Sequence, residues 1–239
     1  MLVALQRAAE DCRRRERNAA AAARHIGPVL DDEDDDQGVR FTDLNSDGLL
    51  DIIRCKEDSG DVHSNAYLNT GSGWQEAPQW KYPACSESDA FVDTDGKEYG
   101  IRFADINGDS RDDILQCYIT TSALDISAVD KVFINKGNRW ESDDSYTIPF
   151  SYCFVDIIPG NDPDKGVRLA DVNNDGYVDL VGNWNVALNN RDKSWQEGAW
   201  STPRRFINGG DDTGARLIEV NGDGKVDFVI SNNEERTVY

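Results

Sequence analysis

Histidine is nearly missing from this chain: it has two, His25 and His63, and a single methionine, Met1. Neither histidine lies beside a plausible nucleophile, and no phosphate-binding Gly-Lys loop, dinucleotide fingerprint or nucleophile elbow occurs. Catalysis is therefore not expected, although the many carboxylates leave a glycosidase-type acid pair open as an alternative. Long apolar runs are missing too, and nothing approaches the roughly 18 consecutive apolar residues of a membrane span. There is no Asn-x-Ser/Thr sequon, which fits a bacterial chain or one without N-glycans. Positive charge is scarce: 25 Lys and Arg stand against 45 Asp and Glu, a net charge of −20. So acidic a surface repels nucleic acid and anionic lipid, and neither nucleic-acid binding nor membrane insertion is expected.

The chain opens with "MLVALQRAAEDCRRRERNAAAAARH". Its short apolar stretch precedes the Arg cluster, the reverse of a signal peptide. Residues 1–25 read as a helical or disordered arm, and residues 26–239 as the folded domain. That domain is rich in Asx, Gly and Ser, and its short β-branched and aromatic runs lie between turn residues, a mostly β pattern.

One pattern occurs four times: "GVRFTDLNSDGLLDII", "GIRFADINGDSRDDIL", "GVRLADVNNDGYVDLV" and "GARLIEVNGDGKVDFV". Each holds an acidic loop, at residues 43–51, 105–113, 171–179 and 219–227. Oxygen-bearing side chains fall at loop positions 1, 3, 5 and 9. They are Asp43, Asn45, Asp47 and Asp51; Asp105, Asn107, Asp109 and Asp113; Asp171, Asn173, Asp175 and Asp179; and Glu219, Asn221, Asp223 and Asp227. The main-chain carbonyl at position 7 adds one more oxygen, from Leu49, Arg111, Tyr177 and Lys225. A tight loop brings these oxygens toward one point, and glycine at position 6 permits the bend. Such a cage suits Ca²⁺, with six to eight oxygen ligands at about 2.3–2.6 Å; Mg²⁺, smaller and stricter, ranks second. Up to four Ca²⁺ are expected. Zn²⁺ would need Cys or His, and the loops have neither.

Two rival readings exist. An EF-hand opens with the same residues but needs Glu at position 12 and flanking helices, whereas position 12 here is Arg54, Gln116, Gly182 or Ile230. Four metal-free Asx turns are the bland reading. The copies also differ: Ser110 replaces the bend glycine of the second loop, and Glu219 lengthens the first ligand of the fourth. The first and third sites are expected to be tightest.

Beyond each loop comes an apolar run, then a strand, an Asn/Gly turn and a strand opening with Trp, as in "AYLNTGSGW" and "KVFINKGNRW". The unit is four strands with the acidic loop joining the first to the second. Its length varies chiefly in the second-to-third turn, as in "YITTSALDISAVD". Units of this kind are blades, which stack to bury both faces.

"RFTDLNSDGLLDII" with "AYLNTGSGW" resembles the FG-GAP/VCBS repeat of integrin α-subunit-like β-propellers, and the resemblance covers roughly residues 26–239. It implies an all-β, propeller-like array of four-stranded blades, with calcium held between the first two strands of each. Three full repeats are expected, plus partial ones at each end: the chain opens inside a last strand and ends soon after a second one. Such an array exposes strand edges, which invites association.

Cys55 and Cys117 occupy equivalent places after the second strand, and Cys85 and Cys153 both fall in the fourth. Position suggests Cys55–Cys85 and Cys117–Cys153 disulfides, with buried free thiols as the alternative; Cys12 is left over. Arg40, Arg102, Arg168 and Arg216 recur three residues before each loop and are expected to pair with blade carboxylates rather than bind an anion. Trp74, Trp140 and Trp195 are expected to pack between blades rather than form a sugar platform. Together these features suggest a non-catalytic, extracellular or surface-exposed calcium-binding module for adhesion, scaffolding or assembly with other protein subunits. The alternatives are a lectin binding glycans and a shell segment of a large secreted Rhs/toxin-type protein.

Overall fold

A computed structural model describes residues 36–121, 125–158, 163–232 and 235–239. The arm at 1–25, Cys12, His25 and the partial blade expected up to residue 35 lie outside them. The described chain is all-β, with four antiparallel blades in a β-propeller arrangement.

Blade one is β1 (Val39–Thr42), β2 (Asp51–Asp58), β3 (Asp61–Asn69) and β4 (Trp74–Glu76), hydrogen-bonded in that order. Blade two repeats it with β5 (Ile101–Ala104), β6 (Asp113–Thr121), β7 (Ile126–Asn135) and β8 (Trp140–Ser142). A short strand from the following connector, β9 (Val155–Asp156), runs parallel to β6. Blade three is β10 (Arg168–Ala170), β11 (Asp179–Val181), β12 (Asn185–Asn189) and β13 (Trp195–Ser201). A hairpin of β14 (Ile207–Asn208) and β15 (Asp211–Asp212) leads into blade four: β16 (Ala215–Ile218), β17 (Asp227–Ser231) and β18 (Arg236–Val238). The last blade thus has a third strand, β18, where the sequence reading placed only two. Short apolar spans had signalled β16 and β17, whereas the Arg-Thr-Val of β18 has one apolar residue and no pattern to read.

Side chains alternate across a strand, so a blade covered on both faces needs apolar residues in succession. The second strands supply them. Ile114 packs toward blade one with Ile53, Tyr82, Phe91, Ile101 and Phe133, while its neighbour Leu115 packs toward blade three with Val132, Ile134, Phe154 and Leu180. Leu180 and Val181 divide in the same way, Val181 facing Phe206, Ala215 and Phe228. Three clusters therefore join blades one to two, two to three, and three to four. Among the described residues no core cluster joins blade four to blade one.

The connectors add much of this core. After β4 the chain makes a 3-10 turn at Pro78–Trp80, and after β8 another at Phe150–Tyr152. Both disulfides are formed, Cys55–Cys85 with Cα atoms 5.7 Å apart and Cys117–Cys153 with 4.7 Å. Cys85 and Cys153 sit in the connectors, not in the fourth strands as the sequence reading had them. The fourth strands end at Glu76 and Ser142, and the connector returns across the blade to reach β2 or β6. Non-neighbouring strands are therefore no obstacle to the bond.

Candidate metal-binding loops

Each acidic loop leaves the first strand of a blade and enters the second. In the first, Asp43 accepts N–H bonds from Asp47 at 3.1 Å and Gly48 at 2.8 Å. Asn45 accepts from Asp47, and Asp47 from Leu49. These bonds wrap the backbone around its own carboxylates. The third loop repeats them with Asp171, Asn173 and Asp175. The second follows with Asp105, Asn107 and Asp109, and Ser110 takes a left-handed φ of 66° where its counterparts are Gly48, Gly176 and Gly224. Left-handed backbone strains a residue with a Cβ, as the sequence indicated. The fourth loop is held more loosely: Glu219 accepts one N–H, from Gly222. Asn221 accepts from Asp223 and donates its amide to Asp227.

The position-9 carboxylates are buried. Asp51 accepts N–H bonds from Leu44 and Asn69, Asp113 from Ile106 and Asn135, and Asp179 from Val172 and Asn189. Each therefore ties its loop to the start of the Asn/Gly turn between third and fourth strands. Burial pushes the Asp51 carboxyl up to about 6, against the pull of its two N–H donors, and nearby Asp47 and Asp43 add to the rise. Asp113 is pushed up to about 7 and Asp179 to about 6 for the same reasons.

The asparagines of those turns do more than turn. Asn135 donates its amide to Leu44 O in the first loop at 2.9 Å, and Asn189 donates to Ile106 O in the second at 2.9 Å. One blade thus grips the metal-type loop of the blade before it. Thr42 adds a bond to Asp112 across the same boundary. Sequence reading saw these asparagines only as turn formers; their recurrence at the same offset, in "LNT", "INK" and "LNN", was the available signal.

The recurrent arginines close a small motif. Arg40 pairs with Asp36, Arg102 with Glu98, Arg168 with Asp164 and Arg216 with Asp212. Three guanidinium groups also lie over connector phenylalanines: Arg40 over Phe91, Arg102 over Phe154 and Arg168 over Phe206. The expectation of internal carboxylate pairing holds. Among the tryptophans, Trp140 packs edge-on against Trp80 of blade one's connector and donates Nε1–H to its carbonyl. That is the expected inter-blade packing. Trp74 packs within blade one against Ile52, and Trp195 lies partly buried against the cluster joining blades two and three.

Chemically, the loops are sets of hard oxygen atoms suited to a Group 2 cation. Among the described residues, however, no three His, Cys, Asp or Glu groups converge at metal distance. The loop carboxylates are instead turned onto backbone N–H groups. In the second and third loops a guanidinium is present as well: Arg111 meets Asp109 at 2.6 Å and Arg191 meets Asp175 at 2.9 Å.

A family model for the FG-GAP-like repeat matches residues 43–115, from the first loop to the start of β6. This span carries an FG-GAP-like repeat. No curated protein matches the chain. Among solved structures, a chain of the Photorhabdus luminescens Tc holotoxin pore is similar, with a TM-score of 0.49 and 17% identity. The match covers 84% of the present chain and 9% of that one. The FG-GAP-like span contains two of the four loops, the last three strands of blade one and the first strand of blade two. Among the described residues no helix is long and apolar enough to cross a membrane.

Proposed function

We propose that the chain is a non-catalytic assembly module, a segment of a larger protein shell whose blades continue into neighbouring blades or subunits. The observation that carries this reading is the asymmetry of the array. Three blade boundaries are sealed by apolar clusters, while blade four presents Ile218, Val238 and Tyr239 at 43%, 54% and 58% exposure. Among the described residues no strand pairs with the outer edge of β18, and exposed apolar residues beside such an edge favour pairing with further protein. A shell segment of a secreted toxin-type protein needs no more than that. An adhesion module or a lectin also needs a ligand site, for which the cleft lined by Trp184, Arg204, Arg205 and Asn208 is the candidate. The shell reading stands ahead of both because it rests on the stacking of the blades themselves. Two disulfides support an oxidising, extracellular setting.

Calcium belongs to this proposal through the donor chemistry of the loops. The first loop fits best: its side chains supply oxygen atoms around a wrapped backbone, and among the described residues no cationic side chain is bonded to them. Asp43, Asn45, Asp47 and Asp51, with the Leu49 carbonyl, would hold the ion, which would neutralise crowded carboxylates. Because their oxygens do not yet converge, binding must draw the side chains inward. Molar mass by light scattering, with and without EDTA, tests both parts. The expected result is self-association through exposed edges and a lower melting temperature on chelation. A strict monomer with an unchanged melt, in calcium and in EDTA alike, would refute the proposal. Glycan binding on an array would return the lectin reading to first place.

A further inference from the structure

The four loops share a pattern of acids but not of countercharge. In the first, the position-5 carboxylate Asp47 meets the Asn45 amide at 3.0 Å. In the second, position 7 is Arg111, whose guanidinium folds back on Asp109 at 2.6 Å while its Nε donates to Asn135 O at 3.0 Å. In the third, the guanidinium comes from elsewhere. Arg191 lies in the turn after β12, where blades one and two have Gly71 and Gly137. It keeps their left-handed backbone, with φ of 66° against 77° and 79°. From there it reaches Asp175 at 2.9 Å and lies over the Tyr177 ring at 5.2 Å. A residue with a Cβ is disfavoured at such a φ, so its persistence there asks for a compensating interaction. The ion pair and the ring contact supply one.

We propose that Arg111 and Arg191 are resident counter-cations that take the place of a metal ion in the second and third loops, leaving calcium to the first and fourth. A guanidinium bonded to the position-5 carboxylate already satisfies the oxygen that a divalent ion would need. Two routes from sequence, one residue inside the loop and one in a neighbouring turn, reach the same carboxylate. This inference rests on the calcium reading above and changes its stoichiometry. It also separates the first loop from the third, which the acid pattern alone ranks together.

Calcium titration of the whole chain, by calorimetry and by native mass spectrometry, tests it. The wild type should take at most two ions. Arg111→Leu, which installs the residue found at position 49, and Arg191→Gly, which installs the residue found at position 71, should each add one. In EDTA both variants should melt lower than wild type, and calcium should restore the loss. The converse variant, Gly71→Arg, should weaken binding at the first loop at least tenfold while keeping the turn. Four ions on the wild type, with no change in either arginine variant, would overturn the inference and leave the calcium reading intact. No ion on the wild type or on any variant would overturn both. Sites that appear only when an arginine is removed would support it.

Discussion

Blades two and three have the same loop, the same arginine motif and the same order of strands, yet they hold their connectors by different means. In blade two, β6 runs on to Thr121, and the connector adds β9 alongside it in parallel, with Tyr118 opposite Val155. The Cys117–Cys153 bond fastens that contact, and Phe154 N–H donates to Cys117 O. Blade one does the same on a smaller scale: Lys56 bridges Val92, Cys55 binds Cys85, and Phe91 N–H donates to Cys55 O. In blade three, β11 stops at Val181 and the chain turns at once into β12. The position of Cys55 and Cys117 is taken by Asn183, whose side-chain oxygen accepts N–H from Phe206 at 2.8 Å and Ile207 at 3.1 Å. Its amide donates to Lys165 O. With no long second strand to join, the connector pairs only with itself, as β14 and β15. The comparison teaches that the blade requires a fastening at this point, and that a covalent bond and a carboxamide both provide it.

The largest way to break the comparison is to remove a disulfide. The two close loops separated by 30 and 36 residues in sequence. Chain-entropy arguments put the loss at about 3–4 kcal/mol for each. Cys117→Ser with Cys153→Ser should therefore lower unfolding stability by about that amount and raise hydrogen exchange in β6 and β9 while leaving β11 and β12 nearly unchanged. Uniform loss of protection across all blades would show that the fastening is global, not local.

Much of this architecture was legible in the residues. Short apolar runs, Asx-Gly loops and Trp-led strands marked three complete blades, because each signal recurs at the same offset and its repetition outweighs local ambiguity. The disulfide pairing was legible for the same reason. The parts that escaped notice are single-copy or long-range. β18 lacks an apolar pattern. Asn183 carries no mark distinguishing it from any other turn asparagine, and its role appears only where Phe206 and Ile207 come within reach. Arg191 sits 16 residues from Asp175 in a turn where glycine is the rule, so only folding reveals its target. The acid pattern ranks the first and third loops tightest, because it counts oxygen atoms and the bend glycine and not the guanidinium groups bonded to Asp109 and Asp175.

A smaller effect sharpens the comparison. Asn183→Ala removes an acceptor from two N–H groups and should cost about 1–3 kcal/mol. Gly166, at φ of 69°, lies against this same side chain, and a Cβ there would come within 2.3 Å of Asn183 Oδ1. Gly166→Ala should therefore displace the carboxamide. In a double-mutant cycle the pair should be non-additive by about 1–2 kcal/mol, because truncating the Asn183 side chain leaves room for the added methyl. Gly100 meets a different neighbour: its Cβ would fall 2.2 Å from the Cys117 carbonyl oxygen, which is backbone. Gly100→Ala should gain no such relief from truncating any single side chain. Strict additivity of the Gly166 and Asn183 variants, measured by denaturant unfolding, would contradict this account.

The dependence on pH asks whether the loops act alike where their fastenings differ. Burial raises the carboxyls of Asp51, Asp113 and Asp179 to about 6, 7 and 6, above the value of about 4 expected in an unfolded chain. Between those limits the folded protein holds protons that the unfolded chain has released. Unfolding stability then falls as pH rises, because its slope follows protons bound in the unfolded state minus those bound in the folded state. In EDTA the melting temperature should drop from pH 5 to pH 8, most of it complete by about pH 7. Calcium should remove only the part of the slope due to Asp51, because the second and third loops keep their arginines; Asp47→Asn should restore that part in calcium, whereas Asp175→Asn should leave the profile unchanged. A melt that rises steadily with pH in EDTA would show that the N–H donors outweigh burial and that these carboxylates are ionised anchors in all three blades.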